Sequence, residues 1–234
     1  MLLVLRPRLD THLIVAPGRH VQFRQSVPLD DSKSNNLVEL VRSYTPVPQQ
    51  FSTAAEEEIG EKGASLLFFL IKIYPCGALT PALGRLKPGE TINVSDPSGS
   101  FIPPAAITGN DAENNGSSAT GAKQVIVYML AAGTGITPML SLLPTIQQAV
   151  VAGGLHCRVV LVYFNRREVD IIGRAELELF ATRHHWFSLS HVLSEDPAWS
   201  GQKGRIRKDL LSEHIITTRV SKLPTGSFCR FVIT

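Results

Sequence analysis

An unbroken apolar run, residues 125–132, ends in Gly133-Thr134-Gly135, and Ile136-Thr137-Pro138 follows at once. A short, uniformly apolar run bounded by turn residues is the pattern of a strand buried on both faces. Glycines after such a strand let another group approach the backbone closely. A helix opening behind them offers unpaired N–H groups to a phosphate. Pro138 suits the first helical turn, where its missing N–H costs nothing. The chemistry this spacing suggests is the seating of a dinucleotide pyrophosphate. A plain strand–turn–helix has the same pattern, and Pro138 stands where the dinucleotide fingerprint GxGxxG has its third glycine.

Other chemistries find less support. The histidines are scattered, and His184-His185 lacks ligand spacing, so no metal site is expected. No GxSxG, P-loop or iron–sulfur cysteine run occurs. Cys76, Cys157 and Cys229 are isolated, with no CxxC pair and no even disulfide framework; a reducing, cytoplasmic setting follows. The net charge is only +3 and no dense Lys/Arg run appears, which sets nucleic-acid binding aside. Residues 1–5 are apolar but too short for a signal-peptide core, and nothing approaches transmembrane length. Without a signal sequence, the sequons at Asn93 and Asn115 read as chance matches.

Two kinds of element must position these groups within the 234 residues. The first part reads as all-β. After the Pro17-Gly18 turn, Val21 and Phe23 alternate with His20, Gln22 and Arg24, and residues 66–74 form a strong strand candidate whose only charge is Lys72. A lone charge there is costly unless partnered or facing solvent. Residues 80–86 suit a helical turn, 87–90 a turn, and 91–95 a strand with Ile92 and Val94 on one face. Short strands with Pro/Gly turns argue for an antiparallel barrel over 1–102. Residues 103–124, rich in Gly, Asn, Ser and Ala, read as a linker or flexible insertion.

The pattern then changes. Strands at 125–132, 158–164, 187–193 and 228–234 alternate with helices at 138–150, 173–184 and 208–216, which predicts a parallel α/β domain over 125–234. Leu177, Phe180 and Ala181 share a core-facing side, and Pro144 should kink or end the first helix.

Arg42-Ser43-Tyr44-Thr45-Pro46-Val47, followed by the 131–139 segment AAGTGITPM, resembles the NADH–cytochrome b5 reductase branch of the ferredoxin–NADP reductase superfamily. The stretch 69–101, with Ile71-Lys72-Ile73-Tyr74-Pro75 and Leu86-Lys87-Pro88-Gly89, is similar to members whose reductase module is fused to a cytochrome b5 domain. The resemblance implies an FAD-binding β-barrel followed by an NAD(P)-binding α/β domain. It implies a reductase that passes electrons from NAD(P)H through FAD to cytochrome b5 or a fused haem domain.

It also implies roles. In the Arg42, Ser43, Tyr44, Thr45 segment, Arg42 would grip the FAD pyrophosphate through two parallel hydrogen bonds; a rim salt bridge is the plainer alternative. Tyr44 would pack on the flavin, though a strand tyrosine is commonly core, and Thr45 would bond the flavin edge. Ile71 and Lys72 would lie beside flavin and nicotinamide. Gly77, Ala78, Leu79 and Thr80 match the segment that holds FAD phosphate, with Thr80 where many relatives have Ser. Gly133, Thr134, Gly135 and Pro138 would lie under the NAD(P)H pyrophosphate and nicotinamide, and Thr137 would reach the flavin. Lys72 and Thr137 would thus be the catalytic pair. Asn165, Asp170 and Ile171 resemble the adenosine-side segment, with Asp170 also suited to cap a helix.

Relatives that use NADH place an Asp near Ser194, and those that use NADPH place Ser and Arg there. Ser194-Glu195 matches neither, and the acidic neighbour favours NADH while leaving NADPH open. A basic rim of Lys72, Arg85 and Lys87 could dock an acidic cytochrome, and a solvated face is the alternative. Relatives continue past residues 231–234 into a Cys-Gly-Pro segment, and the first barrel strand reads as missing. The chain is therefore expected to be a fragment, either catalytically active or a flavin- or partner-binding module without turnover. The resemblance leaves association with the endoplasmic reticulum open, and another superfamily reductase remains a rival.

Overall fold

The computed structural model describes residues 1–7, 13–28, 37–52, 66–108, 124–153 and 155–210. The chain divides into two compact units, Met1–Ile102 and Pro103–Thr234.

The first unit is antiparallel. Strand β2 (Val21–Pro28) lies between β3 (Leu37–Tyr44) and β5 (Asn93–Val94), while β1 (Leu2–Leu5) pairs with β4 (Leu67–Leu70). The alternation read at 21–24 is realised: Val21 and Phe23 are buried, and Gln22 and Arg24 face out. Phe23 joins the two sheets. Its ring stacks on Tyr44 of β3 at 4.6 Å and meets the edge of Phe69 of β4 at 4.8 Å. Burying such a side chain contributes on the order of 2–3 kcal/mol. Leu79 and Leu83, the latter in the short helix α1 (Thr80–Gly84), close the same core.

Two expectations change here. The 66–74 strand is shorter: its ladder ends at Leu70, Ile71 makes one more bond from its N–H to the Met1 carbonyl (2.9 Å), and the chain then turns at Tyr74–Gly77. Lys72 therefore lies beyond the strand, not inside it. Residues 2–5, set aside in the sequence as a short apolar run, form β1, a strand whose partner lies far along the chain.

The second unit is a four-stranded parallel sheet in the order β6 (Gln124–Ala132), β7 (His156–Asn165), β8 (Phe187–Leu193), β9 (Gln202–Lys203). Val159, Leu161, Val162 and Tyr163 of β7 are fully buried, as a strand covered on both faces requires. Helices α3 (Ile136–Val151) and α4 (Arg174–Arg183) alternate with the strands, and α4 buries Leu177 and Phe180. The segment read as linker contains α2 (Ala105–Thr108), which packs on α3 and buries Ile107. Pro144 does not end α3; the helix runs on to Val151. Leu140, Leu142, Leu143 and Ile146 are buried around the proline, and that packing outweighs one missing backbone bond. Of the 208–216 helix only 208–210 are described, and these are helical; the 228–234 strand lies outside the described residues.

His191 of β8 is a buried exception to this apolar interior. Its Nε2 lies 3.8 Å from Glu178 of α4, yet burial holds its pKa below the ordinary value, with Glu178 opposing and Arg174 assisting. Burial wins because Glu178 already accepts from Arg174 Nε at 2.7 Å and is half-exposed. A histidine kept neutral when folded takes its proton first in the unfolded chain. Stability is thus expected to fall as pH drops below about 6.5, with His184, shifted the same way by burial, adding to it. Unfolding midpoints from about pH 7.5 to about pH 5.5 should slope less steeply in His191→Phe than in the parent. Equal slopes would remove His191 as the cause.

Candidate cofactor-binding sites

In the first unit the expected residues fall on β3 and on the loop joining β4 to α1. Arg42 and Ser43 are exposed near the end of β3, with Thr45 just beyond. The Arg42 guanidinium donates to the carbonyl of Val41 (2.8 Å) and makes no ion pair among the described residues. Tyr44 is half-buried; burial raises its pKa, and the positive charge of Arg42 opposes that shift. Lys72 extends its ammonium over the Tyr74 ring, 5.8 Å from the centroid, which offsets part of the cost of its half-buried position.

The loop 74–80 is closed by one hydroxyl. Thr80 Oγ1 accepts from the Tyr74 N–H at 3.0 Å and faces the Tyr74 carbonyl at 3.4 Å, while the Gly77 N–H donates to that carbonyl at 2.8 Å. Leu79 anchors the loop from below, in the core. The backbone N–H groups of Ala78 and Leu79 make no backbone hydrogen bond among the described residues. Gly77 has no room for a side chain: a Cβ there would meet Thr80 Oγ1 at 2.9 Å and the Tyr74 carbonyl at 3.0 Å. Thus Gly77, Leu79 and Thr80 shape a tight loop in which the Ala78 and Leu79 N–H groups are left without a backbone partner among the described residues, an arrangement suited to an anion.

In the second unit Gly133–Gly135 form a 3-10 turn between β6 and α3 at the carboxyl end of the sheet. Gly133 has φ +52°, the left-handed conformation that favours glycine. A Cβ on Gly133 or Gly135 would meet nothing within 4 Å, so the front of the turn is open. Thr137 is buried, and its hydroxyl donates to the Thr134 carbonyl at 3.3 Å; it serves the turn itself. Pro138 occupies the first turn of α3, as expected.

The neighbouring strand ends complete this edge. Asn165 closes β7 with its side-chain amide buried and both of its polar atoms without a hydrogen-bond partner among the described residues. Its carbonyl accepts from Ser194 N–H (3.0 Å), and Arg166 accepts from Glu195 N–H (2.8 Å), so the ends of β7 and β8 lie side by side. Asp170 accepts from the Arg167 N–H at 3.2 Å, the capping role suggested for it. Glu195 lies between two exposed arginines, 3.8 Å from Arg166 and 3.6 Å from Arg205. Neither arginine was expected here, nor was Tyr163, whose hydroxyl reaches the Gly133 carbonyl at 3.0 Å. The one sequence signal for Tyr163 is a hydroxyl within the otherwise aliphatic and aromatic run 159–164.

A model for the oxidoreductase FAD-binding domain matches residues 4–102, and one for the oxidoreductase NAD-binding domain matches residues 129–227. Cytochrome b5 reductase 4 of Rattus norvegicus is 35% identical over 207 residues, covering 88% of this chain and 35% of its own length. The chain carries an oxidoreductase FAD-binding domain and an oxidoreductase NAD-binding domain, and it is similar to cytochrome b5 reductases over most of its length. NADH-cytochrome b5 reductase 1 of Aspergillus terreus is 31% identical over 212 residues, covering 89% of the chain and 60% of that relative. The solved CS-b5R domains of human Ncb5or, in an NAD+ form, superpose with TM-score 0.70 at 30% identity, covering 98% of this chain and 57% of that one. The chain thus spans about a third of the length of the cytochrome b5 reductase 4 proteins it matches.

FAD and NAD, the cofactors that the two matching domain models name, fit their units. FAD requires a phosphate-holding loop on the antiparallel unit, and the 77–80 loop, where the Ala78 and Leu79 N–H groups make no backbone hydrogen bond among the described residues, is suited to that. NAD requires space above a glycine turn and polar groups beyond it. The open front of Gly133 and Gly135 and the unpartnered Asn165 amide meet that need.

Proposed function

We propose that the chain is the FAD- and NAD(P)H-binding portion of a flavoprotein reductase that delivers electrons to a haem acceptor of the cytochrome b5 kind. The observation that carries this is the glycine turn at the sheet edge, open in front and backed by the buried Asn165 amide. A flavin supplies the chemistry of accepting electrons as a pair and releasing them singly. The residues hold and orient. Arg42 and the 77–80 loop bind FAD phosphate, Tyr44 and Thr45 line the flavin, and Ser43 keeps the register of that strand end. Ile71 fixes the backbone from which Lys72 extends toward the cofactors. Gly133, Thr134, Gly135 and Pro138 seat the dinucleotide pyrophosphate, and Thr137 holds the turn in shape.

The purified chain should be yellow and should reduce ferricyanide with NADH. A yellow chain that oxidises neither NADH nor NADPH would support binding without turnover; a colourless folded chain would overturn the flavin reading. Arg85 and Lys87 are exposed and suited to an acidic haem partner. No described helix is long and apolar enough to cross a membrane. Among the described residues Cys76 and Cys157 are free, and burial pushes the Cys157 thiol up to about 12, which keeps it protonated and unreactive.

The arrangement at Glu195 supports a preference for NADH. Its carboxylate offsets Arg166 and Arg205, which would otherwise attract the extra phosphate of NADPH. Glu195→Gln should raise the NADPH-to-NADH ratio of kcat/KM by about tenfold at low salt and less at high salt, because these charges are exposed. A ratio unchanged at low salt would remove Glu195 from cofactor choice.

A further inference from the structure

Tyr163 takes no part in the roles assigned so far, yet its hydroxyl makes two hydrogen bonds at the sheet edge. It is fully buried on β7, paired in register with Ala131 of β6 and His191 of β8. Its hydroxyl donates to the Gly133 carbonyl at 3.0 Å and accepts from the Ile172 N–H at 3.3 Å. The Gly133 carbonyl also accepts from the Ile136 N–H at the start of α3. Both of its lone pairs are therefore used.

We infer that Tyr163 is a positioning residue for the dinucleotide: its hydroxyl locks the Gly133–Thr134 peptide so that the turn presents N–H groups, not a carbonyl, to the pyrophosphate. This rests on the NAD(P)H reading of the glycine turn. A trans peptide carries its N–H opposite its carbonyl, so holding Gly133 O on the Tyr163 side directs the Thr134 N–H to the other side. Such a lock is needed because the peptide follows Gly133, the residue least able to resist rotation. Rotation would turn a carbonyl toward the site and repel a phosphate. The same hydroxyl ties down Ile172, so the glycine turn and the segment leading into α4 are held by one group.

The test is Tyr163→Phe in the full chain, a change that keeps the ring and removes only the hydroxyl. The expected result is about five- to tenfold weaker NAD+ binding by calorimetric titration, the size of one lost hydrogen bond. KM for NADH should rise by the same factor while kcat stays within about twofold. Amide hydrogen exchange at Ile172, whose N–H donates to the hydroxyl, should quicken by about tenfold, with β7 itself still protected. A variant that binds NAD+ as the parent does overturns the lock, and so does one whose exchange is unchanged. A parent that does not bind NAD+ at all overturns both this inference and the dinucleotide reading. Should the variant not fold, the parent decides: Ile172 must exchange more slowly than the exposed Val169, and equal rates overturn the bond.

Discussion

Gly135→Leu is expected to reduce NADH binding by about a hundredfold or more while leaving the fold nearly as stable as before. The two effects separate because of where Gly135 stands. Its backbone, φ −64° and ψ 0°, is one that any residue adopts, and a Cβ there meets nothing within 4 Å. A leucine at this helix-capping position costs less than about 1 kcal/mol relative to glycine. Its side chain has only the open front of the turn to enter, and that is the space assigned to the pyrophosphate. Thermal unfolding and NAD+ titration on the same protein check the result. A variant that keeps both its midpoint and its affinity would place the dinucleotide elsewhere.

Gly77→Val acts on the other cofactor and by the opposite route, through the fold. A Cβ at 77 would stand 3.0 Å from the Tyr74 carbonyl and 3.2 Å from the Tyr74 Cβ, so the loop itself must move. Movement separates Thr80 Oγ1 from the Tyr74 N–H that it accepts at 3.0 Å. Overpacking and the lost bond together should cost about 2–4 kcal/mol. Flavin carried through purification should fall by about tenfold, read as visible flavin absorbance per protein. Thr80→Ser, which keeps the hydroxyl, should retain flavin. Full flavin content in Gly77→Val would show that the loop does not hold it.

These two glycines have the same appearance in the sequence, where each follows an apolar strand and precedes a helix. In the structure one is glycine because neighbouring atoms leave no room, and the other borders open space. That contrast makes the first a determinant of loop shape and the second a determinant of what binds.

The architecture was legible in the residues because its signals are local. Period-two alternation at Val21 and Phe23, the uniform apolar runs of β6 and β7, and the turn residues between them depend on near neighbours alone. The strand at 187–193 and the helix near 173–184 follow from the same rule. Pro144 fails that rule because apolar packing on both sides of it keeps α3 intact. Partners distant in sequence were not legible. The Tyr163 hydroxyl meets Gly133 thirty residues away, and Ser95 accepts from the Gln22 N–H across seventy-three. The short β1 finds its partner only at residues 67–70, and Glu195 meets Arg205 only where the chain returns at β9. By itself, the sequence determined which turns are able to face a phosphate, since conformational freedom and missing side chains are properties of the residues themselves. Tertiary structure decided which hydroxyls serve the backbone and which amides remain to bind, because a hydrogen bond goes to whatever group the fold brings within reach.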